Sequence, residues 1–158
     1  FTKQKGFDLL LKSVQLLKVD FHLIILGQGS NMNALRQLAS DLNLAGKVDF
    51  LGFKANPFAY MRNADFLVLS SRYEGLPNVV LEANACGTPV VAFDCPGGSA
   101  EIIEESVNGC LADCEDIGML ARAISAACDI KFDSKKISAV TKFNHSIDNI
   151  IPQYEVLI

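Results

Sequence analysis

The chain predicts an α/β fold: a Rossmann-like, doubly wound parallel sheet. Three observations carry that expectation. Segments with helical apolar spacing alternate with short apolar runs, the signature of strands exchanged for helices along the chain. The runs are apolar on successive residues, as strands covered on both faces are. Half of the 158 residues are hydrophobic and a fifth are charged, the balance of a globular domain with a covered sheet.

Taken in order, Phe7, Leu10, Leu11, Val14 and Leu17 recur at helical spacing. Residues 21–26 form an apolar run ending at Gly27, which reads as a buried strand. Ser30 and Asn31 are N-cap residues for a helix carrying Met32, Leu35, Leu38, Ala39 and Leu42. Residues 48–51 read as a second strand. Asn56 and Pro57 supply a cap and a first-turn proline for a short helix through Arg62. Residues 66–69 make the third strand. Residues 78–86 make a helix closed by Gly87, and residues 89–93 a fourth strand. After a Pro-Gly-Gly loop come a short helix near 101–105 and a small edge strand at 108–111. Asp113 reads as the cap of a helix bearing Ile117, Leu120, Ala121, Ile124 and Cys128. One or two further helices follow, with a kink at Pro152. An α/β unit of this kind starts with a strand, whereas this chain opens on a helix. A first strand is therefore expected to be truncated from a single domain spanning 1–158.

Composition excludes several function classes. The net charge of −4 argues against a broad nucleic-acid surface, which is basic. No apolar run approaches the roughly 18 residues that span a bilayer. The five cysteines, Cys86, Cys95, Cys110, Cys114 and Cys128, include no CxxC pair. They read as free thiols in a reducing compartment rather than disulfides or zinc ligands. His22 lies in an apolar run and reads as a packing residue.

Ligands of open parallel sheets bind beyond the carboxyl ends of the strands. Three loops qualify, after Leu26, Leu69 and Phe93. The first, Gly27-Gln28-Gly29-Ser30-Asn31-Met32, begins like a dinucleotide fingerprint but has Met32 in place of the third glycine. Asp49, near the place of a ribose-binding acid, sits within a strand pattern, so a dinucleotide site is disfavoured. No Walker A sequence is present.

The second loop is richer. Ser70, Ser71, Arg72, Tyr73, Glu74, Gly75, Leu76 and Pro77 lead into a helix that starts at Asn78. Gly75 allows close approach of backbone to a ligand. Amides at the helix start, with the dipole behind them, suit a diphosphate. Glu82 stands on a helix that is apolar nearly all round and reads as buried, where a carboxylate needs partners. A ribose offers two adjacent hydroxyls, and Glu82 lies about 6 Å along the axis from Asn78. Alone, Glu74 also fits a solvated loop charge paired with Arg72, and Glu82 one half of a buried ion pair. Together, at this spacing, they point to a ligand.

These residues resemble a known family. Glu74-Gly75-Leu76-Pro77-Asn78-Val79-Val80-Leu81-Glu82-Ala83, then Cys86-Gly87-Thr88-Pro89-Val90-Val91, resemble the E-x7-E signature of retaining glycosyltransferases with the GT-B fold, of the family-4 type (glycosyl transferases group 1). Gly97-Gly98, Glu101-Ile102-Ile103, Lys5-Gly6, Phe50-Leu51-Gly52 and Ala64-Asp65 fit the same pattern, from Lys5 to about Cys128. The resemblance implies the C-terminal, donor-binding half of a GT-B enzyme that moves a hexosyl group from a UDP-, GDP- or ADP-linked sugar with retention of configuration. It implies that Glu82 holds the ribose hydroxyls and Glu74 those of the donor sugar. Gly75, Leu76, Asn78 and Val79 would face the diphosphate, and Lys5 would neutralise it as the leaving group gains charge. Taken alone, Lys5 reads as an exposed helix-start lysine. Main-chain groups around Phe53 and Lys54 resemble the base-binding loop, while Gly27, Gly97 and Gly98 resemble loops that let backbone approach the donor. No metal and no separate cofactor are implied.

The family pattern places an arginine ahead of Phe1 and an N-terminal acceptor domain ahead of that. Without them this stretch alone is expected to be inactive. The resemblance implies a cytoplasmic enzyme, with membrane association, where members have it, carried by the other domain at the inner face. Two other readings share the fold: a non-catalytic nucleotide-binding or interaction module, and a sugar-nucleotide epimerase.

Overall fold

A computed structural model describes residues 2–146 and 148–149. A 3-10 turn, Lys3–Lys5, leads into α1 (Phe7–Gln15), followed by β1 (Leu23–Leu26), α2 (Met32–Asp41), β2 (Val48–Gly52) and α3 (Phe58–Asn63). The second part runs β3 (Leu67–Leu69), α4 (Asn78–Ala85), β4 (Val90–Asp94), α5 (Ser99–Ile102), β5 (Gly109–Asp113), α6 (Ile117–Asp129) and α7 (Ser134–Asn144). All strand pairs are parallel, as alternation with helices requires. They fall into two sheets, β1-β2 and β3-β4-β5.

The two sheets are covered differently. β4 is the middle strand of its sheet, and Val90, Val91, Ala92 and Phe93 are all buried on both faces. The expectation of a fully covered sheet holds there and fails for β1 and β2. Ile24 and Leu51 are 42% and 36% exposed, whereas Ile25 is buried. One face of this two-stranded sheet packs on helices and the other is open. His22 stands on neither strand and is not a packing residue: it is exposed, and its Nε2 lies 2.9 Å from Asp49 Oδ2.

Helix α1 ties the parts together. Leu10, Leu11 and Val14 join Ile25 of β1, Leu35 of α2, Val91 and Phe93 of β4 and Leu120 of α6 in one buried cluster. Because α1 is fixed on both sides, so is the 3-10 turn that precedes it. A second cluster, with Val80 and Ala83 of α4 against Val90 and Ala92, seats α4 on the sheet.

Several boundaries differ from the sequence reading. Asn31 stands at the N-cap of α2 without a side-chain cap bond, and Pro57 rather than Asn56 occupies the cap of α3. Asp113 ends β5; the cap of α6 is Asp116, which accepts from the amides of Gly118 and Met119 at 2.8 and 2.9 Å. The predicted helix near 101–105 is a single turn at Ser99–Ile102. Pro152 lies outside the described residues. No helix among the described residues is long and apolar enough to cross a membrane.

Candidate functional site

The loop after β3 and the 3-10 turn meet side chain to side chain. Lys5 Nζ donates to Glu74 Oε1 at 2.7 Å, and Ser71 Oγ donates to the same oxygen at 2.6 Å. Glu74 Oε2 has no partner among the described residues. The Glu74 side chain is 12% exposed and that of Lys5 is 44% exposed. Glu74 is therefore neither a solvated charge nor the partner of Arg72, and Lys5 is not an idle surface lysine. An ammonium has three donors; one is spent on Glu74, and the rest face an open side.

Arg72 frames this pair, a role the sequence reading missed. Its guanidinium grips Asp8 with two bonds of 3.0 and 2.8 Å, donates to Glu115 Oε2 at 3.0 Å and to Lys3 O at 2.6 Å. Its backbone N–H donates to Gln4 O at 2.8 Å. The hydrogen bonds from Arg72 hold the Asp8 carboxyl below its ordinary value, against an opposing effect of burial; Asp8 in turn raises the Arg72 guanidinium. Arg72 thus locks the segment bearing Lys5 onto the loop bearing Glu74. Ser70 Oγ donates to Lys5 O at 3.0 Å. Gly6 lies so close behind it that an added Cβ would sit 1.9 Å from Ser70 O.

The loop after β4 closes the other side. Glu74 N–H donates to Pro96 O at 3.1 Å. Gly97 adopts φ +118, and an added Cβ would lie 1.6 Å from Glu74 O, so only glycine fits. Gly98 follows beside Gly75 and Pro77. At the start of α4 the amides are only partly free, contrary to expectation: Asn78 N–H donates to Leu76 O and Val80 N–H to Pro77 O, both at 2.9 Å. The amides of Gly75, Leu76 and Val79 have no acceptor among the described residues. Leu76 is 65% exposed and nothing lies within 4 Å of Gly75 on its Cβ side.

Glu82 corrects the expectation of a buried carboxylate. It is exposed on α4, and its carboxylate has no partner among the described residues. The helix is apolar in composition because small residues and Val80 fill its buried face, not because water is excluded all round. Its far end is anchored by an amide pair unseen in the sequence, the buried Asn84 and the half-buried Asn108. Asn84 Nδ2 donates to Thr88 O at 3.0 Å, and Asn108 Nδ2 donates to Asn84 Oδ1 at 3.1 Å.

Gly27, Phe53 and Lys54 form a separate group at the ends of β1 and β2. Gly27 N–H donates to Gly52 O at 2.9 Å, which joins the two loops. Phe53 is 68% exposed and Lys54 half-buried.

The expectation of five free thiols is overturned. Cys95 and Cys114 are joined by a disulfide, with Cα atoms 4.9 Å apart. The cause is register: Asp94 and Asp113 are paired at the ends of adjacent strands, so the two following cysteines emerge side by side. A separation of 19 residues gave no sign of this. Cys86, Cys110 and Cys128 are free.

Comparisons with known proteins identify the family and the fold. The family described as Glycosyl transferases group 1 matches residues 1–141. An uncharacterized glycosyltransferase of Haemophilus influenzae is 30% identical over 160 residues, covering 98% of this chain and 45% of its own length. The N-acetylgalactosamine-N,N'-diacetylbacillosaminyl-diphospho-undecaprenol 4-alpha-N-acetylgalactosaminyltransferase of Campylobacter jejuni is 37% identical over 114 residues, covering 72% of this chain and 31% of its own. Among solved structures, Anabaena HepE in complex with UDP superposes with a TM-score of 0.87 at 25% identity, over 99% of this chain and 45% of that one. The chain thus spans less than half the length of each. With a Rossmann-like α/β fold found in GT-B glycosyltransferases and a family match over most of its residues, the chain belongs to the glycosyl transferases group 1 family.

Proposed function

We propose that this chain is the C-terminal, donor-binding half of a retaining hexosyltransferase, which moves a hexosyl group from a nucleotide diphosphate sugar to an acceptor held by an N-terminal domain. The observation that carries the reading is the Lys5–Glu74 pair, with bonding capacity left on both partners, beside amides without acceptors and an unpartnered Glu82 on the helix that follows. Lys5 has donors to spare, Glu74 keeps Oε2 free, and Glu82 is unpartnered.

In this reading Glu82 accepts from both ribose hydroxyls, and the amides of Gly75, Leu76 and Val79 meet the diphosphate near Asn78. Glu74 Oε2 accepts from a hydroxyl of the donor sugar. Lys5, tethered by Glu74, supplies charge that grows in value as the leaving diphosphate becomes more negative; such differential stabilisation lowers the barrier. Gly97 and Gly98 let the backbone approach the donor. Gly27 and the main chain at Phe53 and Lys54 receive the base. No protein nucleophile is assigned, and the nucleotide sugar is substrate rather than cofactor. The C. jejuni relative's name specifies a diphospho-undecaprenol-linked acceptor, a lipid, which fits the reading of a whole protein peripheral to a membrane; its place on the cytoplasmic, inner face is part of the proposal.

The test is calorimetric titration of the full-length protein with UDP, GDP and ADP, beside Glu82→Ala. One nucleotide is expected to bind, with UDP first in line from the likeness to HepE. Glu82→Ala should weaken it about 30-fold or more, the loss of two charge-assisted hydrogen bonds. Undiminished binding in the variant would sink the ribose assignment. Retention is read separately, from the anomeric configuration of the product by NMR.

A further inference from the structure

We propose that the Cys95–Cys114 disulfide is a thiol-exchange site that sets how firmly the loop carrying Glu74 is held, its reactant a dithiol reductant or the matching disulfide oxidant. The regulatory meaning rests on the reading of that loop as the donor site.

The bond sits where the loop's contacts converge. Cys95 runs directly into Pro96, whose carbonyl accepts the Glu74 N–H at 3.1 Å, and into Gly97, packed under the Glu74 carbonyl. On the other side Cys114 Sγ lies 3.8 Å from Arg72 O. The next residue, Glu115, bonds Arg72 Nε at 3.0 Å. The disulfide therefore clamps the two strand ends that flank residues 72–74. Glu115 is held at φ +60, a left-handed conformation that a non-glycine residue keeps only while its surroundings impose it.

Access is one-sided. Cys114 is exposed, whereas Cys95 is 7% exposed, so an incoming thiolate attacks Cys114 Sγ. The S–S bond breaks, Cys95 departs as a thiolate and takes up a proton, and Cys114 is left in a mixed disulfide. The second thiol of the reductant then displaces Cys114 and closes its own disulfide. Two electrons pass from the dithiol to the protein, giving two cysteine thiols. Competing exchange is disfavoured at two of the three free cysteines: burial pushes the Cys110 thiol up to about 11 and raises that of Cys128, which starves both of thiolate. With the whole protein in the cytoplasm, as proposed above, this disulfide would belong to the transient, redox-sensing kind, which an accessible bond beside a loop fits better than a permanent staple.

The test uses the full-length protein, oxidised and then reduced with dithiothreitol, with thiols counted by titration. Amide hydrogen exchange of the segment 72–78 and calorimetric binding of UDP, GDP and ADP are measured in both states. Reduction should release two thiols, speed exchange at the Glu74 amide about tenfold and weaken nucleotide binding about fivefold, the scale of losing one hydrogen bond. Cys114→Ser should match the reduced protein in either redox state. Unchanged exchange in segment 72–78 on reduction would overturn the proposal, as would a Cys114→Ser protein that still responds. A protein that binds no nucleotide in either state, yet shows the exchange change, would refute the donor reading and leave the latch standing.

Discussion

The loops at the ends of β3 and β4 and those at the ends of β1 and β2 are built on opposite plans. The first are pinned by charged side chains: Arg72 to Asp8 and Glu115, Lys5 to Glu74, Ser71 to Glu74, with Gly97 filling the last space. The second meet through a backbone bond between Gly27 and Gly52, and carry Phe53 mostly in water. A preorganised polar frame suits the part of a ligand whose charge changes during reaction. On the donor reading proposed above, an exposed backbone edge suits a part that only needs recognition.

That contrast can be broken from its stiff end. Gly97→Ala should cost about 3 kcal/mol of stability, since a methyl group has no room beside the Glu74 carbonyl and the left-handed backbone is strained for alanine. Denaturant unfolding of the full-length protein measures it, and a loss below about 1 kcal/mol would mean the loop yields easily. Arg72→Ala should cost about 2 kcal/mol, because it strands Asp8 and frees the loop from the 3-10 turn. The pH dependence sharpens the attribution. The folded-state pKa of Asp8 is lowered, so its stabilisation is complete above the unfolded carboxylate value and drains away as pH falls through the folded one. Asp8→Asn should flatten that acid limb in unfolding curves taken from about pH 5 to pH 2. At the exposed end, Phe53→Ala should change stability by less than about 0.5 kcal/mol and, on the proposed reading that main-chain groups receive the base, leave nucleotide affinity within about threefold. A larger drop in affinity would transfer that role to the aromatic ring.

Much of this arrangement was legible in the sequence for a physical reason: it is local. Helical and strand periods, a proline and asparagine at a helix start, and two glutamates eight residues apart are all properties of short stretches. The apolar run of β4 correctly announced a strand covered on both faces. The same logic misjudged β1, because a run such as Leu23 to Leu26 does not reveal whether a helix lies on each side of it. Glu82 was placed on the right helix but on the wrong surface; small alanines made the helix look buried all round. Asp116 displaced Asp113 as the cap of α6 since either carboxylate precedes the apolar repeat. What stayed hidden depends on register between distant segments. The grip of Arg72 on Asp8 spans 64 residues, and the Cys95–Cys114 bond arises only once β4 and β5 are aligned.

The exposure of Glu82 has a consequence for how such a protein changes over generations. A side chain with no intramolecular partner, on the wet face of a helix, is nearly free to be replaced as far as folding is concerned. Stability selection alone would let it drift. Glu74 is different, since its nearly buried carboxylate holds both Lys5 and Ser71. On the donor reading proposed above, a lineage of this domain released from nucleotide binding should therefore lose position 82 first while the frame around position 74 lingers. On that reading, the state of that one helix position would serve as a clock for the loss of nucleotide binding.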